Sequence, residues 1–304
     1  MEQEEALLCY GQAADCLPVR LRRLAAAVPE EQKRLAEEFR LRAGLPMTLL
    51  IGDRELAPWD ERVEPEDLEL VVNLVTDFSR YAASDCLRNG YLPARGGCRI
   101  GLCGTAVMRD GAVTNLRELS SVVVRIAHEK RGIGVPLLPQ LFADGIFQST
   151  LLISPPGGGK TTLLRDLVRC LSDGGVQPPQ RVALLDERGE VAVAYQGLPQ
   201  MDVGRHTDVL DACPKALGIP MVLRALNPQI IAVDEITERA DITVMTHAAN
   251  CGVGLLATVH GGSVGELLQK PLYQDLLDAK VFRLAIVLEK REGARHYSVE
   301  ELPC

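Results

Sequence analysis

Aromatic residues make up only 4% of the 304-residue chain, and there is a single tryptophan. So few flat side chains leave little material for a base-stacking platform of the kind that holds single-stranded nucleic acid. An excess of positive charge is also missing. Lys and Arg number 33 against 41 Asp and Glu, a formal net charge of −8. Nucleic-acid affinity comes largely from neutralising phosphates, so this balance argues against a nucleic-acid motor. There is no CxxC pair among the nine cysteines (9, 16, 86, 98, 103, 170, 213, 251 and 304), and their number is odd. Neither a disulfide framework nor a zinc ribbon is expected; reduced thiols in the cytosol fit better, and no secretory leader is recognised. One long uncharged run, Ile242 to Gly265, invites comparison with a membrane span. Its Thr, His, Asn and glycines would be costly in lipid, and buried α/β core is the better reading. Low-complexity segments and repeats of 20–50 residues are missing as well.

What is present is a globular composition, 47% apolar and 24% charged, long enough for two domains. Residues 1–131 are expected to form a smaller α+β domain. Helical patterns cover Leu21–Val28 and Gln32–Leu41, a strand covers Met47–Ile51, and Pro65 opens a further helix. A glycine-rich β meander follows from Tyr91 to Ile126. The RGIGVP segment reads as a hinge at 132–136, and residues 137–304 form the second domain. A short helix is expected at Leu137–Phe147. From Leu151 the rhythm becomes strand, loop, helix. Strands are expected at Leu151–Ser154, Val182–Leu185, Ile230–Val233, Leu255–Val259 and Phe282–Leu288, with an edge strand at Tyr297–Glu300. Helices are expected at Thr161–Leu171, Thr207–Cys213, Ala240–Asn250 and Val264–Leu268. Strands apolar at consecutive positions belong to a parallel sheet covered on both faces.

The chemistry concentrates in TLLISPPGGGKTT, Thr150 to Thr162. A strand enters a loop, Ser154, Pro155, Pro156, Gly157, Gly158 and Gly159, and a helix opens at Lys160. Such a loop wraps backbone N–H groups around phosphates; Lys160 reaches the β and γ phosphates, Thr161 offers a hydroxyl to magnesium, and Thr162 continues the first helical turn. Ser154 stands where this pattern usually has glycine, and it fits the turn if its φ stays negative. The expected cofactors are therefore ATP and Mg2+.

Two acidic strand ends lie downstream. QIIAVDE delivers Asp234, a magnesium ligand, and Glu235, a base or orienter for the attacking water. VALLDE, Val182 to Glu187, is a near copy with Glu190 slightly beyond it, so Glu187 competes for the same role and both glutamates stay open. Thr258 and His260 in LLATVHGG sit at another strand end, where they could sense the γ phosphate. Arg205, Arg224 and Arg239 lie between the acidic residues and His260 and are candidates for an arginine supplied to a neighbouring subunit.

The ordered set of phosphate loop, VALLDERGEV, GRHTDVLDACPK, QIIAVDE and LLATVHG resembles the stage III sporulation protein AA family of endospore formers. FRLRAGLP, GYLPARGGCRIGLCG and SVVVRIAHEKRG extend the resemblance to the N-terminal half. That family is related to the traffic ATPases of type II and type IV secretion. The resemblance implies an α/β, RecA-like P-loop NTPase core. It also implies an acidic box at Asp186–Glu190 and a histidine box at Thr258–Gly261. A cytoplasmic ATPase follows from it, hexameric when assembled and peripheral at a membrane-embedded sporulation channel on the mother-cell side. A scaffold that binds ATP with little turnover is the alternative.

Overall fold

The computed structural model describes residues 2–76, 90–109, 111–291 and 294–302; Cys86 and Cys304 lie outside them. The chain divides into two units, Met1–His128 and Glu129–Cys304.

In the first unit, six strands form one antiparallel sheet: β1 (Ala36–Arg42), β2 (Thr48–Ile51), β3 (Arg54–Leu56), β4 (Tyr91–Pro93), β5 (Arg99–Arg109) and β6 (Ala112–Arg125), in the order β3-β2-β1-β6-β5-β4. Helices Glu2–Asp15, Val19–Ala26 and Pro65–Val75 contribute Tyr10, Leu21, Leu68 and Val71 to the core built on Phe39, Leu41, Ile100 and Val124. The helix expected over Gln32–Leu41 stops at Leu35, and Ala36–Arg42 is instead a central strand. Phe39 and Leu41 alternate into the core, and pairing with β2 and β6 on both sides outweighs local helical spacing.

Seven strands form the sheet of the second unit: β9 (Thr150–Ser154), β10 (Val182–Asp186), β11 (Thr207–Asp211), β12 (Ile230–Glu235), β13 (Gly254–His260), β14 (Leu284–Arg291) and β15 (Ala294–Glu301). Their order is β11-β10-β12-β13-β9-β14-β15, parallel except for the β14–β15 hairpin. Alternate residues of each strand go to opposite faces, so continuous apolar runs feed two cores. Leu152, Leu184, Ala232 and Leu256 pack with Leu163, Leu164, Leu167 and Leu171 of the helix Lys160–Asp173. Leu151, Ile153, Leu185 and Val233 face Ile219, Val222, Ile242 and Met245 of helices Lys215–Leu226 and Arg239–Asn250. This is the three-layer α/β arrangement expected of a parallel sheet. The uncharged run from Ile242 to Gly265 is shared between a helix and β13, and no helix among the described residues is long and apolar enough to cross a membrane.

Three local expectations change. Thr207–Asp211 is the edge strand β11, paired along its length with β10, rather than a helix. The helix begins later, at Lys215, and carries Gly218 and Pro220, two residues that disguise it. Gly218 is needed there, because a Cβ would lie 2.7 Å from a Leu185 methyl. The stretch 137–147 is a short 3₁₀ turn, Leu138–Leu141, and a hairpin of β7 (Phe142–Ala143) with β8 (Ile146–Phe147). Asp144 and Gly145 both take positive φ in its two-residue turn, the Asp-Gly chemistry of tight hairpins. Residues 132–136, read from the sequence as a hinge, are tied to the second unit. The Gly132 and Gly134 N–H groups donate to the Asp166 carboxylate at 3.0 and 2.7 Å.

Candidate functional site

All five residues of β9 are buried, and the chain leaves the sheet at Ser154. Ser154 is not among the residues with positive φ, and its hydroxyl donates to the Pro155 carbonyl at 3.1 Å. Pro155 and Pro156 are exposed and bring no N–H groups to the loop. The Gly158 N–H closes a turn onto the Pro155 carbonyl at 3.1 Å. A Cβ on Gly158 would fall 1.8 Å from the Ser154 hydroxyl oxygen, so a larger residue there would displace the serine side chain. Gly159 caps the next helix at φ 101°, a left-handed conformation that favours glycine. Lys160, Thr161 and Thr162 then form the first helical turn. Their N–H groups lack intrahelical acceptors by position, and no acid shares that turn. The first helical turn thus offers unpaired backbone N–H groups beside the Lys160 ammonium.

Lys160 is 8% exposed and sits beneath this loop. Its Nζ donates to the Ser154 carbonyl at 3.1 Å and lies 2.7 Å from His260 Nδ1. His260 ends β13, the strand beside β9, and its Nε2 is 3.0 Å from Glu235 Oε1. With the ammonium donating to Nδ1, the imidazole proton belongs on Nε2, where it donates to Glu235. Arg188 Nη1 completes the chain on Glu235 Oε2 at 3.2 Å. Burial lowers the Lys160 pKa, an effect opposed by Glu235 and Asp234. Thr258 lies one strand position pair below His260, fully buried, and its hydroxyl has no hydrogen-bond partner among the described residues.

Asp234 is 8% exposed. Burial pushes its carboxyl up to about 6, helped by the like charges of Glu190, Asp186 and Glu235 and opposed by Arg188. Like charges gathered around a buried carboxyl disfavour its ionised form. No group of three or more His, Cys, Asp or Glu suited to a metal occurs among the described residues. Magnesium held beside a nucleotide needs fewer protein ligands, since phosphate oxygens and water supply the rest.

The second acidic strand end is organised differently. Asp186 is fully buried and accepts from the N–H groups of Glu190 at 2.9 Å, Val191 at 3.0 Å and Ala192 at 2.8 Å. It fastens the loop after β10. Glu187 is bound by the buried Lys215, whose Nζ also lies 3.9 Å from Asp241. The structure therefore draws Lys160, His260, Asp234 and Glu235 together, and holds Glu187 in a separate ion pair. Arg188, Lys215 and Arg295 were not anticipated. Arg188 and Lys215 stand inside the VALLDERGEV and GRHTDVLDACPK segments, but only the strand order β10-β12-β13 reveals their partners.

The three candidate arginines scatter. Arg205 pairs with Asp173 at 3.7 Å, near the amino end of the parallel strands. Arg224 donates to the Pro220 carbonyl of its own helix at 3.0 Å. Arg239 opens the helix that follows β12 and pairs with Asp275 at 2.8 Å, on the carboxyl-end side where the phosphate loop lies.

Comparison with known proteins fits this geometry. Residues 10–298 match the family model described as sporulation stage III, protein AA. The chain is 35% identical over 284 residues to stage III sporulation protein AA of Bacillus subtilis, covering 93% of this chain and 92% of that protein. Among solved structures, it is similar to the pilus retraction motor PilT with bound ADP (TM-score 0.60, 15% identity, 90% of this chain and 82% of that one). It is also similar to the Legionella pneumophila ATPase DotB (TM-score 0.59, 18% identity, 93% and 80%). At these identities the structural likeness establishes the RecA-like fold.

Proposed function

Since the chain belongs to the sporulation stage III protein AA family, we propose that it is an ATPase that powers or gates a secretion-like membrane complex during endospore formation. The observation that carries this reading is the continuous chain from Lys160 through His260 to Glu235 beneath the phosphate loop. In this scheme the loop and the first turn of its helix hold the β and γ phosphates. Thr161 and Asp234 would hold magnesium, which when bound would offset the acidic repulsion at Asp234 and the charge of the transferring phosphoryl group. Glu235 orients or deprotonates the attacking water. Glu187, bound to Lys215, serves to organise the acidic loop. Nucleotide arrival draws the Lys160 ammonium from His260 to phosphate, freeing Nδ1 and altering the hold on Glu235. His260 thereby senses whether the γ phosphate is present.

The working form is an oligomer, a hexamer by its likeness to traffic ATPases, in the cytoplasm and peripheral to membrane-embedded channel proteins of the sporulating cell. In that assembly Arg239 is the preferred member of the set Arg205, Arg224 and Arg239 to act on a neighbour's nucleotide, because of its place at the carboxyl-end side. Phosphate release by the purified oligomer, compared with Lys160→Ala and Glu235→Gln, tests the proposal. Both variants should lose turnover; unchanged activity in Lys160→Ala would sink it.

One observation favours a second reading. Glu235 is already held by His260 and Arg188, so its carboxylate is occupied before any water arrives. A scaffold that binds ATP and rarely hydrolyses it would have this arrangement. Normal ATP binding and normal sporulation in both Glu187→Gln and Glu235→Gln would select the scaffold.

A further inference from the structure

Arg295 is the second residue of the last strand, β15, and lies against the phosphate loop. Its Nε donates to the Gly158 carbonyl at 3.1 Å. A Cβ built on Gly159 would meet Arg295 Nε at 2.8 Å and Nη2 at 3.3 Å, so the guanidinium rests directly on the glycine that caps the helix. No carboxylate pairs with it among the described residues, and this carbonyl is its one hydrogen-bond partner among them. A cation seated on this loop without an acidic partner among the described residues has its remaining N–H groups available to donate.

Sheet order says which part of a nucleotide it would meet. Asp234, Glu235 and His260 come from β12 and β13, on one side of β9. Arg295 comes from the β14–β15 hairpin on the other side. Arg295 pairs across the hairpin with Lys290, three residues beyond Val287, and Val287 is level with Ile153 of β9. The hairpin end therefore rises past the end of β9 to the level of the loop. The magnesium and water chemistry proposed above occupies the first flank, so the γ phosphate points there. The opposite end of the polyphosphate runs toward Arg295.

On the proposed nucleotide site, we infer that Arg295 binds the nucleoside-proximal phosphates in cis, and so holds ADP and ATP alike without taking part in γ-phosphate chemistry. Its side chain keeps the Gly158 contact through Nε and donates to phosphate through the Nη nitrogens.

The experiment titrates full-length wild type and Arg295→Lys, Arg295→Gln and Arg295→Ala with fluorescent ADP and with ATP at fixed ionic strength. Arg295→Gln can still donate to the Gly158 carbonyl but has no charge. Arg295→Gln and Arg295→Ala should both lose affinity for ADP and for ATP, by the same factor of about 10- to 100-fold expected for a hydrogen bond to a charged group. Arg295→Lys should recover most of it. In steady-state turnover the loss should appear in KM for ATP rather than in kcat. Melting curves without nucleotide should superimpose for wild type and Arg295→Gln. Full affinity in Arg295→Gln would reduce Arg295 to a clip on the loop and overturn the inference. A loss confined to ATP would overturn its placement by the nucleoside-proximal phosphates. Wild-type protein that binds neither nucleotide would overturn the proposed function itself, a result distinct from either.

Discussion

Replacing Asp234 by asparagine should make the nucleotide-free protein more stable while abolishing its function. Asp234 is buried, and its carboxyl is pushed up to about 6 by that burial and by Glu190, Asp186 and Glu235. In the unfolded chain an aspartate titrates near 3.9. The folded state therefore holds this proton more tightly than the unfolded state does. Stabilisation by the neutral acid is complete below about pH 4 and is lost as pH rises through about 6. Above that, the folded protein carries a buried charge disfavoured by 2.303RT times the pKa gap, about 3 kcal/mol. Asparagine keeps the shape and removes the charge. The stability gap between Asp234→Asn and wild type should grow from about 1 kcal/mol at pH 4.5 to about 3 kcal/mol at pH 8. Urea denaturation of both proteins at the two pH values, without nucleotide or magnesium, measures it. Saturating magnesium nucleotide should then reverse the order, because ligand binding stabilises the native state and only wild type keeps the carboxylate. An Asp234→Asn protein no more stable than wild type at pH 8, or a gap that does not change with pH, would refute the reasoning.

Three further outcomes are expected. Asp186→Asn should destabilise by about 2–4 kcal/mol and lower the melting temperature by about 5–15 °C, because its amide would face buried N–H donors; a shift under 2 °C, by calorimetry, would contradict the clip assigned to it. Gly158→Ala should weaken ATP binding by about 10²-fold by displacing the loop, and Ser154→Gly in the same chain should restore part of that loss, since the clash is with the serine hydroxyl. His260→Ala should slow single-turnover hydrolysis by about 10²-fold, with ATP affinity, followed by titration, within about threefold of wild type.

Much of the fold was legible because its signals are local. Leu151–Ser154, Val182–Leu185 and Ile230–Val233 are apolar on consecutive positions, and a strand buried on both faces needs nothing else to be recognised. The glycine-rich loop and the acids closing β12 are also contiguous in sequence. What stayed hidden depends on pairing across the chain. Ala36–Arg42 has a helical rhythm and becomes a strand only because β2 and β6 flank it. Thr207–Asp211 becomes a strand because β10 offers a free edge. Within the site, two acidic strand ends look alike on paper, VALLDE and IIAVDE. Their difference lies in their neighbours: Asp186 meets three backbone N–H groups and Glu187 meets Lys215, while Glu235 meets His260.

Those neighbours follow from strand order. In a parallel sheet every strand delivers its last residues to the same edge, so chemistry can be assembled only from strands that sit side by side. β12 and β13 are adjacent to each other, and β13 is adjacent to β9. A histidine at the end of β13 is thus placed to touch both the lysine after β9 and the glutamate ending β12. β10 stands one strand further away, beyond β12, and Glu187, which follows it, pairs with Lys215. The same rule on the other flank brings the β14–β15 hairpin to the loop and makes Arg295 the cation that reaches it. Asp234 and Glu235 therefore stand on the β12 side of β9, where Arg188 pairs with Glu235, and Arg295 stands on the β15 side. On the proposed nucleotide site, a polyphosphate lying across the loop would place its metal-binding end toward Asp234 and its nucleoside-proximal end toward Arg295.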